Sequence, residues 1–325
     1  MVADREAGQL LSSGLDRAGP APAGQFDRCR HRRDDPTWIE AAWPLARTLV
    51  IDAPGGGRVL VREGPDAGPA EVRLALIGSA GAPAGERLFL GVLPDGVPVF
   101  AVLAPLPAMP AARPRSIREI GHRLPAAEAE LLNLAMALAN WHAASPYSPV
   151  TGAPTTGTLG GWARTGPGDD LLRPRTDPAV IVLAHDGVAG PDGRCLLVHR
   201  ASGALIDGRQ QFSCVAGFVE AGESPERAAV REVAEEAGVT LRSPSYRGSQ
   251  PWPFPGCLML AFEGLADPRE PVRIDPVEIA AAGWFTRRQL TAAFAGAPVE
   301  SGHGTALALP PPVSLAWSLL RQWAH

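Results

Sequence analysis

The sequence predicts an α+β protein with a mostly β N-terminal domain, an irregular linker and a C-terminal α/β domain. Three observations carry this reading. Short apolar runs broken by turn residues fill positions 38–103, and a helix with clear start and stop signals lies at 224–238. Between them, residues 146–177 are rich in Pro, Gly and Thr and have little periodicity. A chain of 325 residues is long for one domain, so two are expected. The expected boundaries are a tail at 1–35, a β-rich domain at 36–142, a linker at 143–177 and the second domain at 178–325.

In chain order, the tail is polar and Gly/Pro-rich and ends in the basic run Arg28 to Arg33. A solvated, poorly ordered segment is the expectation, and a nucleic-acid arm is the alternative. Apolar runs at Thr48–Ile51, Arg58–Val61, Val72–Ile77 and Val97–Val102 read as strands of a mostly antiparallel sheet. The segments Asp52–Gly57 and Pro94–Gly96 read as hairpin-like breaks. Leu131, Leu134, Leu138 and Trp141 recur at helical spacing and predict a helix over Ala126 to His142. In the second domain, Ala179–Ala184, Cys195–His199, Phe212–Val215 and Leu258–Phe262 read as strands. Ser224 is placed as an N-cap, Pro225 at the first helical position and Gly238 just past the helix end. A short C-terminal helix is expected from Val313 to Trp323.

Composition narrows the function. Hydrophobic residues make up 46% of the chain, enough for a sizeable core. No run reaches the roughly 18 apolar residues that a membrane span needs. The first residues carry Asp4, Glu6, Asp16 and Arg17 and no apolar h-region, so no secretory signal is read and a cytoplasmic location is expected. A net charge of −4 does not suggest bulk electrostatic binding of nucleic acid. All 30 basic residues are arginine, which excludes lysine chemistry. Cys29, Cys195, Cys214 and Cys257 form no CxxC pair, so the last three are read as buried reduced thiols and disulfides are not expected.

The chemistry is concentrated in Gly217 to Val239, GFVEAGESPERAAVREVAEEAGV. Glu232, Glu235 and Glu236 stand at i, i+3 and i+4, so all three are expected on one helix face. Like charges at that spacing repel and call for a counter-charge. Hard divalent cations such as Mg²⁺ or Mn²⁺ take carboxylate and carbonyl oxygens and share substrate phosphates. They offset the negative oxygens of a phosphoanhydride and make bound water a better nucleophile near neutral pH. By spacing alone, a solvated helix face is a commoner reading than a metal site.

The full pattern is more specific. Gly217, five residues, Glu223, seven residues, then Arg231-Glu232-Val233, Glu235-Glu236 and Gly238-Val239 matches the Nudix box at every defined position. The resemblance implies a Nudix α/β/α sandwich with a mixed sheet and a pyrophosphohydrolase. It implies Glu232 and Glu236 as metal ligands, Glu235 as a further ligand or helper, and the Ala216 carbonyl as a backbone ligand. Glu223 and Arg231 resemble the structural ion pair at the loop–helix junction. Gly217 and Gly238 would serve backbone geometry that a β-carbon disfavours.

Downstream, Ser249 to Met259 reads SQPWPFPGCLM and resembles the signature of the NADH pyrophosphatase, NudC-type, branch. By itself the segment is a stiff aromatic loop. By resemblance Gln250, Pro251, Trp252, Pro253, Phe254, Pro255, Gly256 and Cys257 contact substrate. Trp252 and Phe218 offer faces for a nicotinamide or adenine ring, worth about 1–3 kcal/mol per base. Asn140-Trp141-His142 and Pro174–Pro178 resemble further family segments. Asp275-Pro276-Val277-Glu278-Ile279 implies Glu278 as a fourth metal ligand or general base. Pro311–Ala316 implies a substrate contact through Ala316, and Ile181 joins the implied substrate contacts. A homodimer is implied as well.

Three departures stand out. Ser148-Pro149-Val150-Thr151-Gly152 occupies the place of a zinc-ribbon CPxCG, so no structural zinc is expected. Arg173 replaces an aromatic residue before Pro174, where it suits a phosphate contact. Cys257 replaces a serine. The expected reaction is hydrolysis of NAD(H) to NMN(H) and AMP, with removal of NAD caps from RNA as an extension. The alternatives are another nucleoside diphosphate substrate such as ADP-ribose, suggested by Arg173 and Cys257, and a non-catalytic nucleotide-binding module.

Overall fold

The computed structural model describes residues 26–325 apart from 53–56, 65–71, 169, 204, 207, 303 and 305. The described residues divide into two compact units, one of 26–176 with 252–256 and one of 177–251 with 257–325.

In the first unit, helix α1 (Pro36–Ala42) precedes strands β1 (Arg47–Asp52), β2 (Arg58–Glu63), β3 (Val72–Leu74), β4 (Ile77–Gly78), β5 (Glu86–Val92), β6 (Pro98–Leu103) and β7 (Arg113–Ser116). They form one sheet of order β3-β2-β1-β6-β5, with β4 on β1 and β7 on β2; β1 and β6 run parallel and the other pairs antiparallel. β1 is buried along most of its length because both sheet faces are covered. Leu49 and Ile51 join a core with Leu131, Leu132 and Met136, while Val50 packs with Val102 and Ala104 on the other side. After the short helix α2 (Ile117–Ile120), those leucines come from helix α3 (Ala126–Ala144), two residues longer than its apolar spacing suggested.

Two expectations are corrected in this unit. The run Val72–Ile77 is two strands, since Ala75 donates to the Leu60 carbonyl and Leu76 turns back to the Leu74 carbonyl. The segment before residue 36 is ordered from Phe26 onward: Phe26 is buried, Asp27 bridges Val92, and Arg32 and Arg33 stack on Trp38 and Trp162. Those aromatic faces give the basic run an apolar seat. Residues 1–25, the rest of the expected tail, and 53–56 of the expected Asp52–Gly57 break lie outside the described residues.

The linker region also has structure of its own. Strands β8 (Thr156–Thr158), β9 (Ala163–Thr165) and β10 (Leu171–Leu172) make a small antiparallel sheet. Ser148, which stands in the place of the first cysteine of a zinc-ribbon CPxCG, accepts the Val150 and Thr151 N–H groups and donates to Asp170.

The second unit comprises β11 (Asp177–His185), β12 (Arg194–Arg200), β13 (Leu205–Ile206), β14 (Arg209–Gln211), β15 (Val215–Phe218), α4 (Pro225–Ala237), β16 (Arg242–Trp252), β17 (Cys257–Leu265), β18 (Ile279–Thr286), α5 (Arg287–Phe294), β19 (Leu307–Ala308) and α6 (Leu315–Ala324), with Trp252 itself counted in the first unit. The main sheet is mixed, in the order β16-β17-β11-β12-β18 with β15 on β11. β11 and β17 run parallel, whereas β12 and β15 are antiparallel to β11. Alternation along β11 sends Val180, Val182 and Ala184 toward α4 and Ile181 and Leu183 toward α6, which gives helices on both faces.

Further corrections fall here. Phe212–Val215 is not one strand: β14 ends at Gln211, Ser213 makes a single bridge to Val198, and β15 starts at Val215. Gln250 to Trp252 belongs to the long strand β16, so only 253–256 of the aromatic segment is a turn. Trp284 and Phe285 lie on β18, which periodicity alone left unassigned. All four cysteines are buried, and none is in a disulfide. Among the described residues, no helix is long and apolar enough to cross a membrane.

Candidate active site

Local sequence builds the central helix as expected. The Ser224 side chain accepts the Arg227 N–H, Pro225 opens α4, and Gly238 closes it at φ 67°, a left-handed position. At Gly217 the reason for glycine is space. An added β-carbon would sit 2.0 Å from Cδ of Glu232, so the carboxylate packs directly on the Gly217 backbone. Strand β15 is held there by β11, where Ile181 faces Ala216 in register.

Arg231 ties the loop before α4 to the helix. Its Nε and Nη2 donate to the two Glu223 oxygens at 2.9 and 2.8 Å, and Nη2 also reaches the Phe218 carbonyl at 2.9 Å. Its Nη1 donates to Glu232 and Glu235, both at 2.8 Å. These bonds lower the Glu223 pKa and raise that of Arg231.

The three helix glutamates do not share one environment. Glu232 and Glu236 are only 7% and 2% exposed, whereas the Glu235 side chain is 60% exposed. Consecutive helix residues are about 100° apart, so Glu235 points well away from Glu236. Burial raises the pKa of both inner acids, that of Glu236 to about 7. Each of the two is raised further by the charge of Glu278. Glu278 is exposed and precedes β18, whose ladder with β12 pairs Arg200 with Ile279.

A residue that sequence reasoning missed completes the cluster. Arg200 Nη2 donates to the Ala216 carbonyl and, at 3.2 Å, to Glu236 Oε1. Glu236 Oε2 is buried without a hydrogen-bond partner. The signal lay in strand parity: Arg200 follows Leu196 and Val198, which face α4. Among the described residues, no three carboxylate, imidazole or thiol groups converge closely enough to grip an ion as they stand. Arginines hold Glu232 and Glu236 instead.

The remaining expected contacts are dispersed. Phe218 is 57% exposed and its ring is available for stacking. Gln250 donates Nε2 to the Val313 carbonyl at 2.8 Å, leaving a buried Oε1 without a partner. Ile181 and Ala316 are buried in one core cluster, Cys257 is buried, and Arg173 and Pro251 are exposed. Trp252 to Gly256 belongs to the first unit, as does Asn140. There Trp252 and Phe254 meet edge to face at 5.2 Å, with Arg118 over the Phe254 ring at 4.4 Å. The Asn140 amide donates to the Pro253 and Pro255 carbonyls at 2.6 and 3.2 Å, fixing the turn.

Comparison with known proteins supplies context for this arrangement. Residues 176–304 match the NUDIX domain, and residues 46–141 match the NADH pyrophosphatase-like rudimentary NUDIX domain. The NAD-capped RNA hydrolase NudC of Mycobacterium bovis is 39% identical over 305 residues, covering 92% of each chain. That of Mycobacterium tuberculosis is similar to the same extent. The human mitochondrial NAD(P)H pyrophosphatase NUDT13 is 33% identical over 215 residues, covering 64% of this chain and 58% of its own.

Proposed function

Because the chain belongs to the NudC branch of the Nudix hydrolases, we propose that it hydrolyses the diphosphate bond of NAD(H), giving NMN(H) and AMP, and removes NAD caps from RNA 5′ ends. The observation that carries the reading is the buried pair Glu232 and Glu236: Glu232 lies on the Gly217 backbone and is held by Arg231, and Arg200 joins Glu236 to the Ala216 carbonyl.

The donors fit a hard divalent cation. The Ala216 carbonyl and Glu236 already share one positive charge, and Glu236 Oε2 lacks a partner. Ala216, Glu232, Glu236 and Glu278 are the residues we assign to Mg²⁺ or Mn²⁺, with Glu235 at the rim. When bound, the metal offsets phosphate charge and activates water. Glu278, exposed and near enough for its charge to act on both buried acids, is the group we assign to accept a proton from the attacking water. Phe218 presents a ring for base stacking, and Gln250 Oε1 is an acceptor for an amide or a ribose hydroxyl. Trp252, held by Phe254 and the Asn140-anchored turn, is assigned to base stacking, and exposed Arg173 to a phosphate.

The hydrogen bonds that satisfy Ser148 favour a ribbon segment held without zinc. Homodimer assembly and a cytoplasmic location belong to the same proposal. Sedimentation tests the first and cell fractionation the second. The reaction is tested by incubating the protein with NADH and either Mg²⁺ or Mn²⁺ and separating the nucleotides. Release of AMP and NMNH is expected. Cleavage of ADP-ribose without AMP from NADH would overturn the substrate assignment.

A further inference from the structure

We propose that Arg200 is a built-in cation that occupies the metal cradle in the metal-free protein and must be displaced by the incoming ion, so that it sets metal affinity. The inference rests on the metal-dependent reading above and adds a competitor that the Nudix box does not contain.

Three features of the chain support it. First, Arg200 engages the carbonyl of Ala216 and Oε1 of Glu236, two of the groups assigned to the metal. A guanidinium bond to either oxygen uses a lone pair that a cation needs. Second, the fold aims it there. Leu196 and Val198 face α4, and the β12–β18 register shifts between His199 and Arg200, where the strand ends beside Glu278. The extra residue there, Ala280, lies on β18, so alternation along β12 is unbroken and carries Arg200 to the face of Leu196 and Val198. The Ala201 N–H donates to the Glu278 carbonyl at 2.7 Å and fixes this end of the strand.

Third, the two arginines of the cluster differ in how firmly they are held. Arg231 is 22% exposed and donates to Glu223, Glu232, Glu235 and the Phe218 carbonyl. Arg200 is 48% exposed and reaches in from solvent by one nitrogen. A half-exposed arginine regains water when it leaves, so its departure costs little compared with removing Arg231. Arg200 therefore compensates the buried carboxylate without metal and can yield to a doubly charged ion.

Manganese titration of the full-length protein, followed by the electron paramagnetic resonance signal of free Mn²⁺, tests this without relying on turnover. Arg200→Gln and Arg200→Ala should each bind Mn²⁺ about tenfold tighter than wild type, the scale of one charge-assisted hydrogen bond that the ion no longer has to break. Arg194→Gln, which removes the same charge at the opposite end of β12, should leave affinity unchanged. Metal-free Arg200→Gln should melt below wild type and show a larger rise in Tm on saturation with Mn²⁺. Unchanged or weaker Mn²⁺ binding in both Arg200 variants, with wild type binding normally, overturns the competitor role alone. Equal tightening by Arg194→Gln also overturns it, since general charge would then explain the effect. Absence of binding by every protein overturns the metal reading and this inference with it.

Discussion

The carboxylate of Glu232 rests on the backbone of Gly217, where a β-carbon would come within 2.0 Å of Cδ and 2.1 Å of Oε1. The box glycine is thus the floor on which one of the two buried acids is laid. Its backbone needs no positive φ, so the close approach is the constraint.

Replacing Gly217 by alanine should push β15 and α4 apart. Overpacking of this kind costs about 1–3 kcal/mol. Urea unfolding should show that loss, and NADH hydrolysis should fall by more than the folded fraction accounts for. Wild-type activity in a folded Gly217→Ala protein would remove Glu232 from the site.

Glu236 should be the most sensitive acid. Loss of its charge in Glu236→Gln should lower kcat by roughly 10²–10⁴, the scale of lost electrostatic stabilisation at a reacting phosphate. AMP release under saturating Mg²⁺ measures it.

The same variant should alter the pH dependence of stability without metal. Burial raises the Glu236 pKa from 4.5 to about 7. A raised folded-state value means stability fully present below the unfolded value and lost as pH rises through about 7. Metal-free Glu236→Gln should therefore melt above wild type at pH 8, by up to about 2–3 kcal/mol of stability, with the gap closing toward pH 4.5. Thermal unfolding in chelator across that range checks the sign. A gap that widens toward acid would contradict it.

The clamp between Arg231 and Glu223 should act through the acids it positions. Arg231→Lys cannot make the paired Nε and Nη2 contacts. A drop of about 10–100-fold in kcat is expected, as for residues that orient metal ligands. Weaker Mn²⁺ binding in the same variant would distinguish this from a simple folding defect.

Asn140 should matter through the turn it holds. Asn140→Ala leaves the Pro253 and Pro255 carbonyls without their shared donor. One lost hydrogen bond is worth about 1 kcal/mol, so urea unfolding should show a loss of about that size. Unchanged stability would mean that the turn is held without Asn140.

The readable parts of the protein were those decided within a few residues. Ser224, Pro225 and Gly238 cap α4 as their types dictate, and the box spacing placed Glu223, Arg231, Glu232 and Glu236 without help from the fold. Cap chemistry and helix pitch act over four residues, so local sequence determined them. Even there the pitch carried a warning, because it also turns Glu235 out to solvent.

Tertiary structure alone decided the rest. Arg200 meets Glu236 across 36 positions, Gly217 meets Glu232 across a strand–helix contact, and Asn140 grips Pro253 across 113 positions. Each meeting depends on strand register or on a distant segment packing back, and no short-range preference encodes those. Chain order and helix pitch were enough to say which acids gather on one helix, and the box pattern what reaction they suit. The fold decided which cation faces them, since long-range pairing chooses neighbours that chain order leaves open.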